Sequence, residues 1–428
     1  MLLFQPVIML SKLSLILILF FYIYSVQFIF IPGAIGTRVL LGLLGICVFF
    51  YRNIVNNHFY LNSTITKYFL SLAVIPLISI VAIIANGTTD LSFIKYFFSL
   101  AIIFFSAYFV QYWFKKYGEY SLYRLIDYIS IVVVIQICLS VLMFLIIPLK
   151  EFLLSVQVLS ELDKNKILWN GGIRLIGFGS TFFGAGIVNG FTLILLTYKL
   201  MNQDLPFKKF LSYLLIFSLI LIGGIVMSRT TLIGFSICML LFLHRKYKLV
   251  ISYKSIYLFK GILFIGFIFI ILSNIFFIAY EDEFSMLFDY GFELFENYHE
   301  EGELSSSSTD EMFEMYKVYP DNLKTLLIGD GLFLDPNGYG YYKQIDIGYY
   351  RLVFYFGIIG LSAYLYFQYA IVKLSVNSFH EGKKLFYICF FFLLLLNFKG
   401  FSDIVFLLLP FCFNNFGFVH KEINDEEN

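Results

Sequence analysis

The feature that most constrains this chain is a succession of apolar runs, most of them close to bilayer length. A helix crossing the ~30 Å hydrocarbon core needs about 20 mostly apolar residues. Here 60% of the residues are hydrophobic and only 14% are charged, whereas a soluble domain is about 25% charged. The expected fold class is an all-α polytopic integral membrane protein, with a single transmembrane domain over residues 1–428. The formal net charge of +1 says nothing about partners. The lipid bilayer is an expected partner and nucleic acid is not.

Runs of this kind fall at about 13–31, 39–51, 68–85, 93–114, 125–148 and 181–200. The next run, 210–243, would be roughly 50 Å long as one helix, against a core of about 30 Å. It would also hold Arg229 in mid-membrane, at a cost of at least ~2.5–3.5 kcal/mol. Two shorter helices turning at Ser228-Arg229-Thr230 remove both problems. Further runs at about 256–280, 352–372, 385–398 and 405–419 bring the expected count to about twelve. The first lacks a following small-residue cleavage site, so it is expected to be a retained span.

Lysine and arginine in short loops set orientation. With the N-terminus inside, the inner loops collect Lys115, Lys116, Lys208, Lys209, Lys383 and Lys384 among others. The short outer turns hold Arg38, Lys95, Arg229 and Lys399. Both termini are therefore expected in the cytoplasm. Two large loops, about 149–180 and 281–349, then face outward. In the second, Ser308 and Glu311 fit a capping box for a helix over 309–319, ended by Pro320. A stretch at 284–298 has helical apolar spacing suited to a membrane surface. This loop is expected to form a partly helical cap.

Five cysteines, Cys47, Cys138, Cys238, Cys389 and Cys412, lie inside apolar runs. They give no disulfide or zinc pattern and are expected to be small buried hydrophobes. The acids of the second loop lack calcium-loop spacing, so no metal or cofactor is expected.

The chemistry-bearing residues lie on the outer side. Arg174 stands in a glycine-rich approach (Gly171, Gly172, Gly177, Gly179, then Gly184 and Gly186). Glycine admits close backbone approach, and arginine offers a planar fork suited to phosphate. The plainer reading is that the glycines pack helices and Arg174 reaches the headgroups. Arg229 has no acidic neighbour in sequence and needs a partner in the bundle, the lipid or a ligand. Arg351 opens the run at 352, five residues after Asp346. On one helix these two stand about one and a half turns apart and need not pair. Three outward arginines could clamp a diphosphate and stabilise charge growing on it as a leaving group.

An attacking alcohol needs a base within hydrogen-bond reach. Asp346 is the first candidate, Asp330 the second and His299 the third, each also readable as a solvated loop residue. Tyr349 and Tyr350, with Tyr339, Tyr341, Tyr342 and Trp169, could offer faces to sugars. Lys399 and Asp403 form either a local ion pair or part of the rim.

Four short stretches in this order and topology resemble the Wzy-type O-antigen and polysaccharide polymerases and, more distantly, the O-antigen ligases. They are Arg174 with its glycines, Ser228-Arg229-Thr230 with Gly234, Leu327-Ile328-Gly329-Asp330-Gly331, and Asp346 through Gly357-Ile358-Ile359-Gly360. The resemblance implies a metal-independent glycosyltransferase of the bacterial inner membrane. It would move an undecaprenyl-diphosphate-linked glycan chain onto an undecaprenyl-diphosphate-linked oligosaccharide repeat unit at the periplasmic face. It implies work beside a flippase and a chain-length regulator protein. On the residue reading above, Asp346 and Arg351 are the expected catalytic residues, and Arg174, Arg229, Arg351, Tyr349, Tyr350 and Asp330 the expected substrate-binding ones. Ligases carry a histidine-asparagine pair where Asp346-Ile347 stands here, which favours the polymerase. A flippase or transporter is the competing class; neither repeated halves nor broken helices are visible in the sequence.

Overall fold

The computed structural model describes residues 4–31, 35–55, 63–159, 164, 174–180, 182–247, 293, 297–299, 302, 307–337 and 340–414. Among these the regular elements are helices, with isolated β-bridges and no strand. Seven are long and apolar enough to cross a membrane: α2 (Thr37–Val55), α3 (Ser63–Asn86), α4 (Ser92–Lys116), α5 (Leu122–Leu145), α7 (Phe182–Asn202), α8 (Phe207–Met227) and α12 (Gly348–Ser378). The protein is therefore a helical membrane protein. Two further apolar helices are α1 (Phe4–Ile23) and α9 (Thr231–Tyr247). The others are α6 (Ile147–Ser155), α10 (Ser307–Tyr316), α11 (Leu323–Leu327), α13 (Lys383–Leu396) and α14 (Val405–Leu408).

Seven of the twelve expected spans are met by full-length helices among the described residues. The expected span 256–280 lies outside them, as do most of the surface stretch 284–298, Trp169, Tyr339, Gly171 and Gly172. The expected last span, 405–419, is not one helix in its described part. α14 gives way to a 3-10 turn at Leu409–Phe411 containing Pro410. Proline has no N–H to donate. The carbonyl of Phe406, four residues back, instead accepts the Tyr22 hydroxyl at 2.5 Å.

α7 is the hub. It packs against α5, α8, α9 and α13, and nearly all of its length is buried. Gly190 makes this possible. A Cβ built on Gly234 of α9 would stand 2.4 Å from the Gly190 Cα, so the α7 and α9 backbones touch, as small residues allow in membranes. The hairpin expected within 210–243 forms: α8 ends at Met227, Ser228 is extended, and α9 begins at Thr231.

α12 is broken where the sequence reads as one helix. Phe356 (φ −139°) and Gly357 (φ 68°, ψ −173°) leave helical geometry. The left-handed φ suits glycine, and a Cβ on Gly357 would lie 2.1 Å from the Leu327 carbonyl. The break frees the carbonyls of Phe354 and Tyr355. Asp330 N donates to the first at 2.6 Å and Gly331 N to the second at 2.9 Å. Gly360 lies under the Phe356 ring. Hence 327–331 and 357–360 are two halves of one joint. A broken helix is therefore present after all, but protein backbone fills the gap.

The turn between α3 and α4 clasps the same loop. Asn86 Nδ2 donates to Gly329 O at 2.9 Å and Thr88 Oγ1 to Gly331 O at 2.9 Å. Asp90 Oδ2 accepts from Phe333 N (2.7 Å) and Leu334 N (3.2 Å). Its Oδ1 accepts from Ser92 N and Oγ. Cys238, Cys389 and Cys412 are buried as expected, whereas Cys47 and Cys138 are exposed on their helices.

Candidate functional site

Four segments bring the polar residues together. The turn 397–400 after α13 lies against the approach to α12: Tyr349 N donates to Asn397 O at 3.2 Å. A Cβ on Gly400 would stand 3.2 Å from the Phe183 ring and 3.7 Å from Asp346 O. A Cβ on Gly186 would be 2.7 Å from Thr230 Cβ, which joins the start of α7 to the Ser228-Arg229-Thr230 turn. Gly186 is thus a packing residue, as the plainer reading of that stretch has it.

Arg229 is buried, with its side chain only 4% exposed, and it pairs with Glu293 of the second loop. Arg174 sits over the Phe182 ring, 5.4 Å from its centroid. Phe182 itself has φ 43°, a left-handed backbone that a bulky residue seldom adopts.

Arg351 and Asp346 do pair, Nη1 to Oδ1 at 3.4 Å. They meet because α12 begins at Gly348 after an extended Ile347, so Asp346 is not on the helix that carries Arg351. The guanidinium is held between Tyr341 (3.6 Å) and Phe333 (4.0 Å). Such contacts contribute about 0.5–2 kcal/mol each. They fix the plane of the fork and leave only its edges for hydrogen bonds. The Arg351 side chain is 7% exposed and that of Asp346 47%. Arg351 is therefore the backing and Asp346 the presented group. Arg351 Nε has no hydrogen-bond partner among the described residues.

Lys399 lies beside this cluster, the rim alternative of the sequence reading. Burial, then the charges of Arg229 and Arg174, push its ammonium down to about 8, and Asp346 opposes them. The turn that carries Lys399 packs on Asp346 and on Phe183 of α7. Asp403, the other possible partner of Lys399, instead accepts from Tyr96 Oη (2.6 Å), Gln368 Nε2 (3.2 Å) and Val405 N (2.7 Å).

Asp330, Tyr349 and Tyr350 each make hydrogen bonds within the protein. Asp330 accepts from Thr325 Oγ1 (2.5 Å) and Tyr342 Oη (3.3 Å), with Lys343 Nζ 4.0 Å away. Burial and Asp330 together push the Tyr342 hydroxyl up to about 12, so it remains a donor. Tyr349 Oη donates to Leu394 O at 2.8 Å, and Tyr350 Oη to Tyr316 O at 3.5 Å. His299 is exposed. Among the described residues no group of three or more His, Cys, Asp or Glu is placed to hold a metal.

Sequence reasoning did not pick out Glu293, Phe333, Asp90 or Phe401, whose ring also faces Arg351 at 5.7 Å. None carries a motif, and each acts across a long sequence separation. The arrangement can bind a multiply charged anion and can present one carboxylate beside it. Compared with known proteins, the chain matches no family model, no curated protein and no solved structure at a significant level.

Proposed function

We propose that the chain is a polysaccharide repeat-unit polymerase of the bacterial inner membrane. It has about twelve spans, cytoplasmic termini and two large periplasmic loops. It transfers an undecaprenyl-diphosphate-linked glycan onto a second undecaprenyl-diphosphate-linked oligosaccharide. The observation that carries this reading is that the turn 397–400 packs on Asp346 and on Phe183 of α7, that Gly186 of α7 packs on Thr230 beside Arg229, and that Arg351 pairs with Asp346.

The donor's diphosphate lies against the cations, whose charge-assisted bonds favour phosphate oxygens. An acceptor hydroxyl attacks the anomeric carbon, and a new C–O bond forms there. The bond from that carbon to the diphosphate oxygen breaks, and the electron pair leaves with the lipid diphosphate. Asp346 takes the hydroxyl proton and returns it to solvent. Removing one preorganised donor at such a site typically costs 10²–10³ in rate.

The test is polysaccharide banding on a gel from a deletion strain complemented at matched membrane levels. Wild type restores a ladder, while Arg174→Ala, Arg229→Ala and Asp346→Ala leave a single-repeat band. A normal ladder from all three ends this reading. Loss of every attached band in the deletion strain reassigns the chain to a ligase or a flippase.

A further inference from the structure

α11 is inside out for a helix that faces water. The residue it buries is polar: Thr325 is 3% exposed. Thr325 N donates to Asn322 Oδ1 at 2.8 Å, and its Oγ1 to Asp330 Oδ1 at 2.5 Å. Leu323 and Leu327, four residues apart and so on one face, are 74% and 46% exposed. Val318 and Tyr319, just ahead of them, are exposed as well. A surface helix of a soluble protein shows the reverse pattern. An apolar surface of this kind marks a place where something apolar lies.

What lies there follows from where α11 sits. Its last residue abuts the break in α12, where a Cβ on Gly357 would stand 2.1 Å from the Leu327 carbonyl. Ile358 and Ile359, the next two residues of that span, are exposed. On the other side, a Cβ on Gly331 would stand 3.1 Å from Ala82 O, and Asn86 Nδ2 donates to Gly329 O. Ala82 and Asn86 bound the last turn of α3, whose Val81 and Ile84 are exposed. Both α3 and α12 are long and apolar enough to cross a membrane, so their exposed apolar side chains face acyl chains. The exposed leucines of α11 continue that lipid-facing surface from one span to the other, level with the last turn of α3.

We infer that α11, with Val318 and Tyr319 ahead of it, lies in the bilayer, Leu323 and Leu327 resting among the acyl chains of the leaflet on the side of the second loop. Tyr319 then stands at headgroup level, where amphipathic rings collect. Asp321 and Lys324, both exposed, reach the headgroups from the same short stretch. The partner is bulk bilayer lipid, and the inference stands whatever reaction the chain catalyses. The loop that fills the α12 break is thus held at a fixed depth by the membrane as well as by the bundle.

The experiment uses the full-length protein in nanodiscs, in a Trp113→Phe, Trp169→Phe background that leaves no native tryptophan. One tryptophan is then placed at a time, by Leu323→Trp, Leu327→Trp, Ile84→Trp or Asn337→Trp. All four positions are exposed, so the larger ring displaces no packing. Fluorescence is compared in plain lipid, in lipid brominated near the carbonyl end of the acyl chain, and in lipid brominated near its middle. Leu323→Trp and Leu327→Trp should lose as much fluorescence as Ile84→Trp, and more to the shallow bromines than to the deep ones. Asn337→Trp should lose none. Red-shifted emission without quenching at Leu323→Trp would put this face in water. Blue-shifted emission without quenching would put it against protein, a second copy or another chain. Either result overturns the inference. Relief of the quenching by an added prenyl alcohol would make the face a groove for one chain and overturn bulk lipid as its occupant.

Discussion

At the scale of single residues, the ion pairs decide what the site can do. Arg229 is nearly inaccessible, and its acid partner is 64 positions away in sequence. That separation is why no local reading could supply Glu293, although the need for a partner was legible from an arginine in an apolar turn. Removing one member of a buried pair typically costs about 3–5 kcal/mol. Glu293→Gln should therefore lower the unliganded Tm by several degrees and tighten binding of a prenyl-diphosphate probe several-fold, because the guanidinium loses an acidic partner with which the probe competes. Thermal shift with and without probe reads both effects. A lowered Tm with unchanged affinity would make the pair purely structural. Asp346 and Arg351 teach the complementary lesson. Their spacing argued against pairing only on the assumption that both lie on one helix, and the extended Ile347 removes that assumption.

At the scale of elements, the stretch 329–334 of the second loop is held by its backbone more than by its side chains. The hairpin at Arg229 was legible because helix length and bilayer thickness disagreed. The break in α12 was not, because an apolar run with one glycine pair reads as continuous until the loop that fills it is known. Gly357→Ala should be among the most damaging small substitutions in the chain, since its φ is left-handed and a Cβ would meet the Leu327 carbonyl. Loss of the detergent-solubilised fold or a Tm drop of several degrees is the expected outcome. Asp90 has a milder and more specific part. Burial alone would raise its carboxyl, but the bonds from Ser92, Phe333 and Leu334 outweigh that and hold it below the usual range. Its contribution is therefore present above the ordinary value of 3.8 and is lost as pH falls through the lowered value. Asp90→Ala should leave the bundle folded yet raise protease sensitivity and amide exchange near 331–334. It should also reduce transfer, because Phe333 no longer braces Arg351. Unchanged exchange in that segment would mean the clasp is redundant.

At the scale of the whole molecule, the inside-outside frame rests on the distribution of cations, and it makes a direct prediction. With Cys47 and Cys138 replaced by serine, a cysteine at Asn337 should react with a membrane-impermeant maleimide from the periplasmic side. A cysteine at Lys116 should react only after the membrane is opened. Both positions are exposed. The opposite pattern would invert the molecule and move the anion site to the cytoplasm. The general class, a helical bundle in lipid, was legible from composition and run length. The form of the last run was not, because Pro410 and its neighbours turn an apolar stretch into a short helix followed by a 3-10 turn.

The joint between Gly329 and Gly357 also bears on how such a protein can change over time. Residues 323–360 form a unit in which the loop supplies donors that the helix requires and the helix supplies the cleft that the loop occupies. An exchange of outer loops between two proteins of this design, whether by recombination or in the laboratory, should succeed when its boundaries fall before Asn322 and after Gly360. A boundary between them separates a plug from its socket. The polymorphic part of the outer face should therefore be the segment before α11, apart from Glu293, which pairs with Arg229, and Tyr316, which donates to Phe398 O.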